Sequence, residues 1–226
     1  MSRRIFITGT DTEVGKTYIG AGLLQLLNIQ GMRTIGLKPV ASGCEKIEDK
    51  LINSDALQLQ QHASISLDYD TVNPLAFEPP VAPHIIAEQH GQTLSVKQLT
   101  ELTKPALQLD ADLILIEGFG GWYAPLNSRE TMADYVKYMQ FDVLLVVGMR
   151  LGCLNHAALS YQAITNNGLN CIGWVANCIE PDMAYLHENI ALLKQSLPTP
   201  CLGVVDYNQT PAASLTLPLS ATKHSE

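Results

Sequence analysis

Gly15, Lys16 and Thr17 stand side by side, and they are residue types that meet a phosphate. An ammonium neutralises phosphate oxygens, a hydroxyl ligates a hard cation such as Mg2+, and a glycine lets backbone come close. The pattern G-x-x-x-x-G-K-[ST] joins these groups on a turn between a strand and a helix. In "ITGTDTEVGKTYIG", residues 7–20, the end of the pattern fits, but its first glycine is Gly9, one step early. Thr10 occupies the expected place, so the loop reads as one residue longer than usual. That length adds polar Thr12 and Glu13 to the wall of the cradle. Unpaired N–H groups at the start of the next helix, with its dipole, favour an anion there.

Other candidates lie just after apolar runs. Lys38 follows the run 33–37 and precedes Pro39, Ser42 and Gly43. Asp55 opens a helical stretch, where an acid also serves the helix dipole. Glu117 ends the unbroken apolar run "LILI" and begins "EGFGG". An acid at that point is well placed for Mg2+, and Gly118, Gly120 and Gly121 let the chain pass close to a ligand. "RLGCLNHAA", residues 150–158, opens a helix whose amides could hold a carboxylate. Cys153 and His156 in it read as packing residues rather than a nucleophile and a base. Asn177 ends another apolar run, where an amide could read a purine edge. The glycines do not make G-x-G-x-x-G, and the remaining histidines have no metal-ligand spacing.

These residues need a frame that collects them on one edge. Residues 4–8, 33–37, 113–116, 142–147, 171–176 and 201–205 read as strands. Residues 16–30, 54–62, 94–109, 155–167 and 183–196 read as helices, and 64–83 as irregular. Strands alternating with helices imply an α/β fold, a parallel sheet with helices on both faces. Ligands then bind beyond the carboxyl ends of the strands, where the candidates fall. The 226 residues carry no internal repeat or linker and read as a single domain, 1–226, with a loosely ordered polar tail from about 210. A formal net charge of -8 argues against nucleic acid and anionic membranes as partners. No apolar run is long enough to span a bilayer. Five cysteines without C-x-x-C suit a reduced cytoplasmic chain with buried thiols.

The blocks "TGTDTEVGKT", "KPVASG", "NSDAL", "TVNP", "EGFGGW", "GCLNH" and "GWVAN" together resemble dethiobiotin synthetase, from about residue 3 to 205. The resemblance implies a P-loop NTPase fold like that of the nitrogenase iron protein, and a cytoplasmic homodimer. It implies a ligase of biotin biosynthesis that joins 7,8-diaminononanoate and CO2 or bicarbonate with ATP and Mg2+. A carbamate and then a carbamic-phosphoric anhydride precede ring closure. Carried over by position, Lys16 and Lys38 would flank the reacting groups, and Thr17, Asp55 and Glu117 would hold Mg2+. Thr12, Glu13, Val14, Gly15 and Tyr18 would meet the nucleotide phosphates, with Gly118 and Gly120 beside them. Ser42 and Gly120 would meet the diamine and carbamate. Gly152, Cys153, Leu154 and Asn155 would hold the substrate carboxylate. Asn177, Asp206 and Tyr207 would lie at the adenine.

The chain departs from the family at Phe119, where a small residue is common. It has Val204-Val205-Asp206-Tyr207 where a proline and an aromatic are expected. Asn189 aligns with a partner-subunit tyrosine that meets the substrate, and Tyr185 precedes it by one turn. Two other readings of the fold remain. An amidating ligase would need an ammonia source, for which this length leaves little room. A partitioning-type ATPase would carry a second lysine early in the loop, where Gly9-Thr10-Asp11 stands.

Overall fold

The structure, a computed structural model, describes residues 2–217. The chain opens with β1 (Arg3–Gly9), α1 (Lys16–Ile29) and β2 (Thr34–Leu37). Short pieces follow: β3 (Val40–Ala41), the hairpin β4 (Glu45–Ile47) and β5 (Lys50–Ile52), α2 (Ser54–His62), α3 (Tyr69–Val72) and β6 (Leu75–Ala76). Then come α4 (Pro83–Gln89), α5 (Val96–Leu107), β7 (Leu113–Gly121), α6 (Met132–Met139) and β8 (Asp142–Gly148). The chain continues with α7 (Cys153–Asn166), β9 (Cys171–Asn177), α8 (Leu186–Ser196) and β10 (Cys201–Val205).

Six strands form one sheet in the order β10-β9-β8-β1-β7-β2, and every pairing is parallel. The unbroken apolar runs follow from this, because a parallel sheet covered by helices is buried on both faces. Along β7, Leu113 and Leu115 pack into one core with Ile5, Ile7 and the α1 residues Ile19, Leu23, Leu24 and Leu27. Ile114 and Ile116 point to the opposite core, with Phe6, Trp122, Tyr135 and Trp174. Each strand thus divides its side chains between two layers of helix.

All six expected strands are present, with ends shifted by a residue or so in most. The largest shift is in β7, which runs on to Gly121 and carries Glu117, Gly118 and Gly120 inside the strand. Gly9 pairs with Gly121, so the glycines expected in a loop extend the ladder instead. Helix α7 begins two residues earlier than expected, and α8 begins at Leu186 because Tyr185 has a left-handed backbone.

The stretch 64–83 is not wholly irregular, since it forms α3 and β6. Helices α4 and α6 and the β4–β5 hairpin are further elements absent from the sequence reading. Two of these carry local signals. Pro83 occupies the first turn of α4, and Thr131 with Asp134 makes a complete capping box at α6. The tail is ordered further than expected. Pro211–Ala213 forms a 3-10 turn packed on α1, and Thr216 donates its N–H to Leu202 O at 2.7 Å. Apolar anchors explain this, because Pro211 and Leu215 are buried. The rest of the expected tail lies outside the described residues.

Candidate active site

The loop from Thr10 to Gly15 joins β1 to α1 at the carboxyl edge of the sheet. Two backbone features shape it. Glu13 is left-handed at φ 59, and Gly15, which precedes α1, has φ 85. A β-carbon on Gly15 would also stand 2.1 Å from Asn177 Nδ2, so this glycine is required twice over. Val14 is buried, and its carbonyl accepts the Asn177 amide at 2.9 Å. The Asp11 carboxylate caps the turn by accepting Thr12 N–H at 2.8 Å and pairs with Arg150 from the loop after β8.

Strand register brings the charged groups together. Ile7 of β1 faces Glu117, and Leu37 of β2 faces Ile116, so Lys38 emerges beside Glu117. Lys38 Nζ contacts Glu117 Oε1 at 2.5 Å and Asp55 Oδ2 at 3.4 Å, and donates to Gly118 O at 3.2 Å. Thr17 Oγ1 donates to the same Glu117 oxygen at 2.8 Å. Lys16 Nζ reaches two carbonyls, Asp11 O at 3.0 Å and Gly120 O at 2.7 Å. Gly120 is left-handed at φ 57, which turns the strand end toward the loop. Lys16, Lys38 and Glu117 are buried, whereas the Asp55 side chain remains 41% exposed.

The lysines differ electrostatically. Burial is the largest influence on both. At Lys16 burial, reinforced by the Lys38 charge, pulls the pKa down to about 8 against the raising effect of Glu117, Asp55 and Asp11. At Lys38 burial acts the same way, but Glu117 and Asp55 outweigh it and hold the pKa above its ordinary value. A phosphate against Lys16 favours its ammonium form. Between pH about 8 and 10.5, nucleotide binding should therefore take up a proton and weaken as pH rises, by up to roughly tenfold per pH unit. Calorimetry in buffers of different ionisation heat measures that uptake. No uptake at pH about 9 would contradict the assignment.

The donor set suits a hard cation. Glu117 Oε2 is buried and has no hydrogen-bond partner among the described residues. A buried acceptor without a partner is costly and points to a missing ligand. Thr17, Glu117 and the half-exposed Asp55 offer oxygens only and leave room for phosphate oxygens and water, the pattern Mg2+ prefers. No group of three His, Cys, Asp or Glu able to hold a metal occurs among the described residues.

A cleft of about 880 Å³ spans these groups. Its walls include Thr12, Glu13, Gly15, Lys16, Thr17 and Tyr18 on one side, and Lys38, Ser42, Asp55, Glu117 and Gly120 on the other. Phe119 also faces it, as do Pro80 to Pro83. Other expected site residues lie outside this cleft. Gly152 to Asn155 sit at the start of α7, where Cys153 N–H is already donated to Arg150 O at 3.0 Å. Burial pushes the Cys153 thiol pKa up, as suits a packing residue. The Asn177 amide braces the loop by donating to Val14 O. Asp206 and Tyr207 follow β10, near Gln209, whose carbonyl accepts the Tyr18 hydroxyl. Tyr185 is exposed at the start of α8, and Asn189 Nδ2 donates to its carbonyl at 2.7 Å. The sequence reading missed Asp11 and Arg150, whose pairing across 139 residues leaves no local signal.

Known proteins bear on this cleft. A family described as AAA domain matches residues 3–213. The ATP-dependent dethiobiotin synthetase BioD of Cellvibrio japonicus (strain Ueda107) is 50% identical over 206 residues, 91% of this chain and 90% of that protein. The enzyme of the same name from Pseudomonas aeruginosa (strain UCBPP-PA14) is 50% identical over 210 residues, 92% of each chain. ATP-dependent dethiobiotin synthetase BioD 1 of Escherichia coli O157:H7 is 49% identical over 203 residues, 90% of each. Among solved structures, the signal recognition particle receptor FtsY of Elizabethkingia anophelis superposes with a TM-score of 0.56 at 13% identity, covering 96% of this chain and 63% of that one. The MinC:MinD complex of Aquifex aeolicus gives 0.53 at 13% identity, covering 91% and 81%. The distant structures bear on the fold alone, a parallel sheet covered by helices. With identity this high along most of both sequences, the chain belongs to the ATP-dependent dethiobiotin synthetase family of enzymes.

Proposed function

We propose that the protein closes the ureido ring of dethiobiotin from 7,8-diaminononanoate, CO2 and ATP, and so serves biotin biosynthesis. One amine of the substrate adds to CO2 and releases a proton, giving a carbamate. A carbamate oxygen then attacks the γ-phosphorus, and ADP leaves. The second amine attacks the carbonyl carbon of this anhydride. Its C–O bond breaks, phosphate departs, and the amine proton is lost.

Each step gathers negative charge, so the site must neutralise it without mobile water. The observation that carries this reading is the convergence of Lys16 and Lys38 on one cleft, with Glu117 between Lys38 and Thr17. Lys16, at the helix start, would meet the β- and γ-phosphates. Lys38, across the cleft, would meet the carbamate and the transferred phosphoryl group. Lys38 keeps its proton throughout the ordinary pH range and acts as a fixed charge rather than a base. Thr17, Asp55 and Glu117 would hold Mg2+, which would supply positive charge against the phosphates. Thr12, Glu13, Gly15, Ser42 and Gly120 line the remaining contacts. Asn177, Asp206 and Tyr207 are proposed to lie at the base, and the start of α7 at the substrate carboxylate.

The enzyme is further proposed to be a cytoplasmic homodimer without nucleic-acid or membrane partners. The acidic balance of the chain and its reduced cysteines support this. Exposed Leu151, Leu159, Tyr185 and Leu192 provide apolar surface for a second copy. No helix of the described residues is long and apolar enough to cross a membrane. The test is to mix protein, ATP, Mg2+, bicarbonate and 7,8-diaminononanoate. Diamine-dependent ADP release with dethiobiotin formed is expected. ADP release indifferent to the diamine would instead favour a nucleotide switch on the same fold.

A further inference from the structure

Lys38 and Asp55 lie on separate arms, one after β2 and one at the start of α2. Both arms converge on α3, in a stretch the sequence treats as irregular. Lys38 donates its own N–H to Val72 O at 2.9 Å. Its carbonyl accepts Asn73 Nδ2 at 2.6 Å. The backbone of Lys38 is thus gripped on both sides by consecutive residues. Asn73 is in turn oriented by Tyr69, whose hydroxyl donates to Asn73 Oδ1 at 3.0 Å.

The same hydroxyl accepts Asn53 N–H at 2.7 Å. Asn53 caps α2, its Oδ1 accepting the N–H groups of Asp55 at 3.1 Å and Ala56 at 3.2 Å. Its Nδ2 donates to Ser42 O at 3.3 Å. Asn53 and Asn73 are both buried, so each of these bonds replaces water that cannot reach them. The phenol of Tyr69 thus joins the two arms, meeting Asn53 directly and Lys38 through Asn73, beside the bond from Asn53 to Ser42 O.

We propose that Tyr69 and Asn73 are positioning residues that fix the spacing between Lys38 and Asp55 through the shared Tyr69 hydroxyl. The proposal rests on the ring-closing reading, since it assigns a task to the Lys38–Asp55 separation of 3.4 Å. It also accounts for the "TVNP" and "NSDAL" blocks, whose asparagines touch no substrate in that reading. Neither residue contacts the phosphate cradle. Loss of the clamp therefore lowers turnover and spares nucleotide binding.

The experiment compares the parent enzyme with Tyr69→Phe, Asn73→Ala and the double variant. It measures kcat with diamine, the Kd of MgATP, and backbone hydrogen exchange. Each single variant should lose roughly 10–100-fold in kcat, the range for groups that orient catalytic ligands, with MgATP Kd within about threefold. The double variant should lose little more than the worse single one, because both break the same chain of bonds. In Tyr69→Phe, exchange should quicken in segments 36–42 and 51–57 and stay unchanged in 10–20. A kcat within about threefold of the parent, multiplying losses, or exchange changed only in 68–74 would overturn the clamp. If the parent shows no diamine-dependent turnover, the ring-closing reading fails. The exchange pattern alone then decides the clamp.

Discussion

Lys38→Ala should abolish most ring formation, on the order of 10³-fold in kcat, while MgATP still binds within roughly tenfold of the parent. The reason is the location of its charge. Lys38 Nζ lies among Glu117, Asp55 and Gly118 O, whereas Lys16 sits at the helix start with the phosphate cradle. On the proposed reaction, removing Lys38 would leave developing carbamate and phosphoryl charge without a fixed partner but leave the loop amides intact. It also leaves Glu117 buried without its cation, a loss that costs about 3–5 kcal/mol when uncompensated. A lower melting temperature should accompany the variant without Mg2+. Single-turnover kinetics and nucleotide titration separate the two effects. Equal loss of ATP binding would place Lys38 with the nucleotide instead.

Glu117→Gln should raise the Mg2+ concentration needed for half-maximal turnover by at least about tenfold and lower kcat by roughly 10²-fold. The amide keeps the shape of the side chain and the acceptor for Thr17, so the loss reports charge. Lys38 would then keep Asp55 at 3.4 Å and the Gly118 carbonyl at 3.2 Å against its burial, without the Glu117 charge. The sign of the stability effect follows. In the parent, Lys38 has a pKa raised above 10.5, so its contribution is present below pH 10.5 and is lost as pH rises through the folded value. In the variant burial prevails, and that alkaline dependence should shrink or reverse. Thermal melts between pH about 8 and 11, with turnover measured against Mg2+ concentration, check both parts. An unchanged Mg2+ requirement would remove Glu117 from the cation site.

The six strands were legible because burial on both faces writes itself as unbroken apolar runs such as "LILI" and "DVLLVV". Lys16, Lys38, Asp55 and Glu117 were legible because each follows an apolar run or opens a helix at the ligand edge. The register of β2 on β7 explains why Lys38 and Glu117 meet, and no local pattern announces a register. Helix α3 escaped because it is only 4 residues long, too short for periodicity to show. The Asp11–Arg150 pair escaped because its members are far apart in sequence. Asn177 reads in the sequence as an amide at a strand end, and the bond its Nδ2 makes to Val14 O needed a side-chain direction that no local pattern supplies.

The strand order β10-β9-β8-β1-β7-β2 leaves four strands between the β10 edge and the β2 edge. Lys38 and Glu117 sit on the β7–β2 half, whereas the run Val204 to Tyr207 and Asn177 belong to the β9–β10 half. The phosphate loop and α1 lie between the halves and touch the β9–β10 side through Asn177 and Gln209. The Val204-Val205-Asp206-Tyr207 run lies on the β10 side of that divide, and Phe119 on the β7 side.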